Sequence, residues 1–186
     1  MNGEITLNKI KREIVLPALR IQKKKLGKIY DVELTYMENE EQYKIRKDIM
    51  DVFNKGIVIS IMKFKNNEYY RYLRGKKGHS IKTAFLKIIR YYLLFHSIKK
   101  EGFRSDIRRP ESLPYLFVSK MSTSRFDGHH RISIARYFGY KRIPVLILTP
   151  KDLLGLSYIS NDVISYLKII GEPEKLTEKF NEIQDL

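Results

Sequence analysis

The chain contains no cysteine. That absence removes disulfides, thiolate metal ligands and any cysteine nucleophile together, and it suits either a reducing interior or a cysteine-poor proteome. Long apolar runs are missing as well. The densest, Ile88 to Phe95, is short and interrupted by Arg90, far from the roughly 18 apolar residues of a spanning helix. Met1 to Arg12 carries Glu4 and no continuous apolar stretch, so no secretory signal is expected and the location expected is the cytoplasm. The third shortage is of acidic residues. Against 36 Lys and Arg the 186-residue chain sets 21 Asp and Glu, a net charge of +15. Such an excess favours anionic partners: nucleotides, nucleic acid, phosphorylated sugars or a membrane face. A lysine-rich solvated surface produces the same number with no partner at all.

The charge is unevenly spread. Ser60 to Arg109 holds 14 basic and 3 acidic residues, whereas Lys151 to Leu186 holds 4 basic and 7 acidic. Internal repeats and low-complexity segments are lacking. At this length one ordinary domain, or one domain with an extension, can bury a sufficient core. Apolar spacing predicts a roughly helical Lys9 to Leu26 broken by Pro17, and a helix over Glu40 to Asn54 stopped by Gly56. Ile57 to Met62 reads as a short buried strand and Asn66-Asn67 as a turn. Tyr69 to Ser80 reads as a basic loop. Ser80 then caps a helix over about Ile81 to Lys100 that Gly102 ends. A compact unit follows: a strand from Leu113 to Val118, a turn over Lys120 to Ser124, and a second strand ending at Arg125-Phe126. Asp127 then stands at an N-cap position, before a helix from Gly128 closed by Gly139. Ile143 to Leu148 is a buried strand, and the acidic tail suggests two short helices divided by Gly171 and Pro173.

The chemistry is densest at Asp127-Gly128-His129-His130-Arg131. A helix start offers N–H groups and a partial positive charge, so it suits phosphate. Gly128 would let the backbone approach a ligand, and His130 and Arg131 add donors on the same turn. A carboxylate at Asp127 would hold Mg²⁺ or take a proton from an attacking hydroxyl. The plainer alternative has Asp127 capping the helix while the histidines bond to backbone. A second candidate site is Arg71, Arg74, Lys76, Lys77 and His79, where Gly75 and Gly78 would let backbone N–H groups form an anion nest; a solvated basic loop is the alternative. The tyrosines at 69, 70, 72, 91 and 92 would stack bases or, more ordinarily, form core. His96 reads as a satisfied core histidine. Arg104, Arg108 and Arg109 contact phosphate or lie in an exposed linker. Zinc is not expected, since adjacent His129 and His130 point about 100° apart on a helix.

Asp-Gly-His-His-Arg followed by Ile-Ser-Ile-Ala-Arg-Tyr-Phe-Gly-Tyr-Lys-Arg-Ile-Pro-Val resembles the ParB/sulfiredoxin superfamily. That pattern runs Gly-x-x-Arg, a small residue one turn later, a helix-ending glycine, then Ile-Pro-Val on a strand. The resemblance covers about 81–148. It implies an α/β (α+β) fold, with a ParB/sulfiredoxin-like nucleotide-binding core over 69–150. Residues 1–68 would be an N-terminal helical and strand extension packed on that core, and 151–186 an acidic tail of short helices. Sulfiredoxins place their catalytic cysteine where His129 stands, which excludes that activity. Chromosome-partitioning members carry Gly-Glu-Arg-Arg here and append a helix-turn-helix domain, for which the roughly 36 residues after Pro150 leave no room.

The motif wording is most similar to that of ADP-dependent free-serine kinases and of small ParB-like proteins of surface-polysaccharide clusters. The resemblance implies Asp127 as base or Mg²⁺ holder, with Gly128, His129, His130 and Arg131 as a phosphate cradle; the residues themselves add His130 as a further candidate catalytic group and Arg74 and Lys76 as further candidate phosphate ligands. ATP or ADP, with CTP as a variant, and Mg²⁺ are the implied cofactors, and a small hydroxylated metabolite or sugar is the implied acceptor. The chain departs from the serine kinases in one respect: Arg74 to Ser80 holds no acidic residue where they use a glutamate. Either Asp127 acts alone, or Glu68, Glu101 or Glu111 substitutes, or the chemistry differs. The expected function is thus a nucleotide-dependent phosphotransferase. The alternative is a nucleotide- or nucleic-acid-binding regulator without turnover.

Overall fold

The computed structural model describes residues 6–20, 26–34, 40–56, 63–103, 113–120 and 123–171. In chain order its elements are α1 (Leu7–Ile10), a π turn (Lys11–Val15), α2 (Leu16–Arg20), β1 (Lys28–Glu33), α3 (Glu40–Asn54), a 3₁₀ turn (Phe64–Asn66) and α4 (Glu68–Arg74). Then come α5 (Ile81–Glu101), β2 (Tyr115–Val118), β3 (Thr123–Asp127), α6 (His129–Tyr137), β4 (Arg142–Leu148), α7 (Pro150–Leu154) and α8 (Asn161–Ile170). The fold is mixed α+β. The strand expected at 57–62 and the second tail helix beyond Pro173 lie outside the described residues, as does the 104–112 linker.

Two compact units share the chain, each discontinuous. This differs from the expected boundaries after 68 and 150. One unit takes 1–33, 105–128 and 144–186; the other takes 34–104 and 129–143.

The first unit is built on a four-stranded sheet in the order β1-β4-β2-β3. β2 pairs parallel with β4, Tyr115 opposite Leu146 and Phe117 opposite Leu148. It pairs antiparallel with β3, Val118 opposite Thr123, through a bulge at Tyr115/Leu116. All four residues of β2 are buried, the pattern of a strand covered on both faces. Tyr115, Phe117, Leu146 and Leu148 share one core with Ile10, Ile14, Val15 and Ala18 from the N-terminal helical segment and Leu153, Val163 and Leu167 from α7 and α8. Pro17 does not break the first segment. The wider π turn ahead of it, closed by Leu16 N–H donating to Lys11 O, accommodates a ring that brings no N–H of its own.

The second unit is helical. On α5 the buried residues Ala84, Ile88, Tyr91, Phe95 and Ile98 recur at alternating spacings of four and three, one stripe down a helix. They pack with Ile49, Met50 and Phe53 of α3, Tyr69 and Leu73 of α4 and Ile134 of α6. Ser80 caps α5 as expected, its Oγ accepting from Thr83 N–H at 3.1 Å. At the far end of α6, Tyr140 N–H donates to Ala135 O and Gly139 N–H to Arg136 O, the paired bonds of a glycine-closed helix.

Candidate functional site

Asp127 is the last residue of β3, and α6 begins at His129. The expected N-cap role of Asp127 is therefore corrected: Gly128 intervenes. Gly128 has φ +102°, and a Cβ on it would stand 2.5 Å from Cβ of Pro114. The glycine is buried, and its missing side chain permits the close approach of Pro114. The side chains of 123–127, Asp127 included, lie outside the described ones. The division between the two units falls directly after Gly128, so His129, His130 and Arg131 open the first turn of a helix belonging to the helical unit.

Within that unit His130 has a defined setting. Its Nε2 lies 2.5 Å from the Tyr69 hydroxyl, and the Tyr91 ring centroid is 4.5 Å from the imidazole's. Burial pushes the Tyr69 phenol up to about 12, while the nearby Arg46 guanidinium pulls the other way. The phenol, kept protonated, can donate to Nε2, the roles in this contact following the imidazole tautomer. Burial likewise raises the Tyr91 phenol well above its usual range, again opposed by Arg46. The His129 carbonyl accepts from Ser133 Oγ at 2.9 Å, fixing the first turn, and Arg131 stands half-buried beside it.

Tyr69 is held in turn by a chain of polar contacts. Asn67 caps α4, its side-chain oxygen accepting from Tyr69 N–H at 2.8 Å, and its Nδ2 donates to Asp48 of α3 at 2.6 Å. The loop expected at 69–80 is thus partly helix, because Asn67 supplies the cap that starts α4.

The second candidate site is arranged for another purpose. Backbone N–H groups of Gly75, Lys77, Gly78 and His79 donate to Arg71 O, Tyr72 O, Gly75 O and Leu73 O, and Arg74 donates to His79 O at 2.5 Å. These donors close the C-terminal end of α4 instead of facing outward as an anion nest. Lys76 is exposed, and Lys77 lies over the Tyr72 ring at 5.7 Å. The tyrosine stripe is core at Tyr69 and Tyr91 and half-buried at Tyr70, Tyr72 and Tyr92. His96 packs on Tyr92 at 4.3 Å between centroids, but its buried Nε2 has no hydrogen-bond partner, so it is not the satisfied histidine expected. Glu68 is exposed on the first turn of α4, and Glu101 on the last turn of α5 accepts from Ser97 at 3.5 Å. Glu111, Arg104, Arg108 and Arg109 lie outside the described residues.

Arg46 is the residue that sequence reasoning missed. It is 7% exposed, and it is the one buried charged side chain among the described residues. Its guanidinium reaches Gln42 O at 3.1 Å and Gln42 Oε1 at 3.4 Å, while its Nε–H has no acceptor. A signal was present: 46 falls on the face that Tyr43, Ile49, Met50 and Phe53 define, where a charge interrupts the apolar spacing.

Among the described residues no group of three His, Asp or Glu side chains could hold a metal ion. Nor, among the described residues, is any helix long and apolar enough to cross a membrane. No family model, no curated protein and no solved structure matches the chain.

Proposed function

We propose that the protein is a nucleotide-dependent phosphotransferase of the ParB/sulfiredoxin kind, holding phosphates at the start of α6. The observation that carries the reading is the first turn of α6 itself. His130, oriented by Tyr69, and Arg131 stand where a helix presents its positive end, in a chain with a large basic excess. Phosphoryl transfer asks chiefly for positioning and charge neutralisation, and this turn offers both. ATP or ADP is the donor proposed, with CTP as a variant, and a small hydroxylated metabolite or sugar the acceptor. Mg²⁺ bound mainly through substrate phosphates needs one or two carboxylates from the protein. Asp127, two residues ahead of α6, is the carboxylate proposed, and it would hold that ion or take the acceptor's proton. The cytoplasm is the proposed location.

A binding regulator without turnover, with a nucleotide or a nucleic acid as its partner, is the second reading. It is favoured by the exposure of Glu68 and Glu101 at helix ends, which leaves the base role to Asp127. One experiment separates the two: single-turnover transfer from labelled ATP or ADP with Mg²⁺ and a metabolite extract, beside calorimetry of nucleotide binding. Asp127→Asn is expected to lower transfer by about 10²-fold while metal-free nucleotide affinity holds. Arg131→Ala is expected to weaken affinity by about 1.5–3 kcal/mol. Equal transfer in wild type and Asp127→Asn removes Asp127 from the reaction. Binding with no transfer in either selects the regulator, and equal affinity in Arg131→Ala removes the cradle.

A further inference from the structure

The helical unit buries a positive charge, Arg46, that forms no ion pair with an acidic side chain among the described residues. Arg46 keeps its charge at any ordinary pH, and burying a cation without a counter-ion is costly. The acidic residues of its own helix are otherwise engaged or exposed. Glu40 pairs with Arg136 at 2.6 Å, Asp48 accepts from Asn67 at 2.6 Å, Asp51 accepts from Tyr137 at 2.8 Å, and Glu41 is exposed. Gln42 gives Arg46 only neutral acceptors. Nearby is a second anomaly. The Tyr91 hydroxyl is buried with no hydrogen-bond partner, in a side chain 2% exposed, and its ring stands 5.4 Å from that of Phe53, which shares the buried face of α3 with Arg46. Buried polar atoms in folded proteins are nearly always paired, and an exception points to a missing partner.

Both unpaired atoms are donors, an N–H on a cation and a phenolic O–H held protonated by burial. Arg46 Nε–H can only donate, so the one partner that serves both atoms is an acceptor, and the guanidinium asks for a negative one. We propose that Arg46 and Tyr91 form an oxyanion-binding subsite in the helical unit, taking the carboxylate or phosphate end of a small metabolite. The oxyanion accepts from Arg46 Nε–H and Tyr91 O–H, supplying the buried charge with its counter-ion. The half-buried His130 packs its imidazole on the Tyr91 ring, 4.5 Å between centroids. The inference needs no nucleotide and stands apart from the phosphotransfer reading, though His130 adjoins both.

The test uses the full chain without nucleotide or metal, titrated with inorganic phosphate in one arm and succinate in the other, and followed by calorimetry and thermal melting. Wild type is expected to bind and be stabilised by at least one of the two, and the arm that responds tells a phosphoryl from a carboxylate ligand. Tyr91→Phe deletes only the unpartnered oxygen. It is expected to melt no lower than wild type without ligand, because no internal bond is lost, yet to bind the oxyanion about 10- to 100-fold more weakly. Arg46→Lys keeps the charge without the Nε–H and is expected to weaken binding similarly. The proposal is overturned if neither anion binds wild type, if Tyr91→Phe and Arg46→Lys bind as wild type does, or if Tyr91→Phe alone destabilises the ligand-free protein.

Discussion

The two units bury different things. The sheet unit's core is largely aliphatic, Ile, Val, Leu and Ala with Tyr115 and Phe117, and its buried Thr149 is satisfied: both its N–H and its hydroxyl donate to Asp152, at 2.7 and 2.9 Å. The helical unit's core is aromatic. Phe53 sits edge-on to Tyr91, Tyr92 and Phe95 at 5.4–5.7 Å, and the same unit buries Arg46 and the unpartnered Tyr91 hydroxyl. An aliphatic core with its polar groups paired serves stability. Polar donors kept buried without partners do not, so they are the more informative place to look for chemistry.

The comparison breaks first at the centre of the aromatic cluster. Phe53→Ala empties a fully buried ring site and is expected to cost about 3–5 kcal/mol in chemical denaturation. In the sheet unit the corresponding weak point is backbone rather than side chain. Gly27 has φ +67°, and a Cβ on it would overlap the Ile147 carbonyl oxygen. Gly27→Ala is expected to cost about 2–4 kcal/mol, measured the same way. An unchanged denaturation midpoint for either variant would contradict the core assigned to that unit.

A smaller effect sharpens the polar side of the contrast. Tyr69→Phe removes the bond to His130 and is expected to cost about 1 kcal/mol at neutral pH, whereas Tyr91→Phe costs nothing. The raised phenols also set an alkaline limit. Tyr69 and Tyr137 are each pushed up to about 12, chiefly by burial and, at Tyr137, also by the Asp51 carboxylate. The fold therefore favours their protonated forms, which gives stability fully present below pH 10 and lost as pH rises from about 10 to 12. Melting temperature against pH is expected to fall through that window, and to fall less steeply in Tyr69→Phe. An identical slope would mean Tyr69 is not buried as described.

Local features were legible in the sequence wherever spacing and caps decide. Helix α3 runs over the residues its apolar periodicity marks out, Ser80 and Gly102 bound α5, and Ile143 to Leu148 lies in β4. Long-range pairing was not legible. Nothing local says that the strand at 28–33 joins the sheet of β4, or that the helix before Gly102 belongs with α3 rather than with the strands. The phosphate motif was visible as a string, but the strand's extra residue at Asp127 and the packing of Pro114 on Gly128 were not. Arg46 was legible as a flaw in an apolar face, yet a charge there reads as solvated until the burial is known.

The central claim, that a phosphate ester binds at the start of α6 in the helical unit, is most directly tested by amide hydrogen exchange with and without ATP or ADP. The account predicts slowed exchange over His129 to Ser133, with β2 and β4 unchanged. Unchanged exchange across α6, or protection confined to the strands, would contradict it.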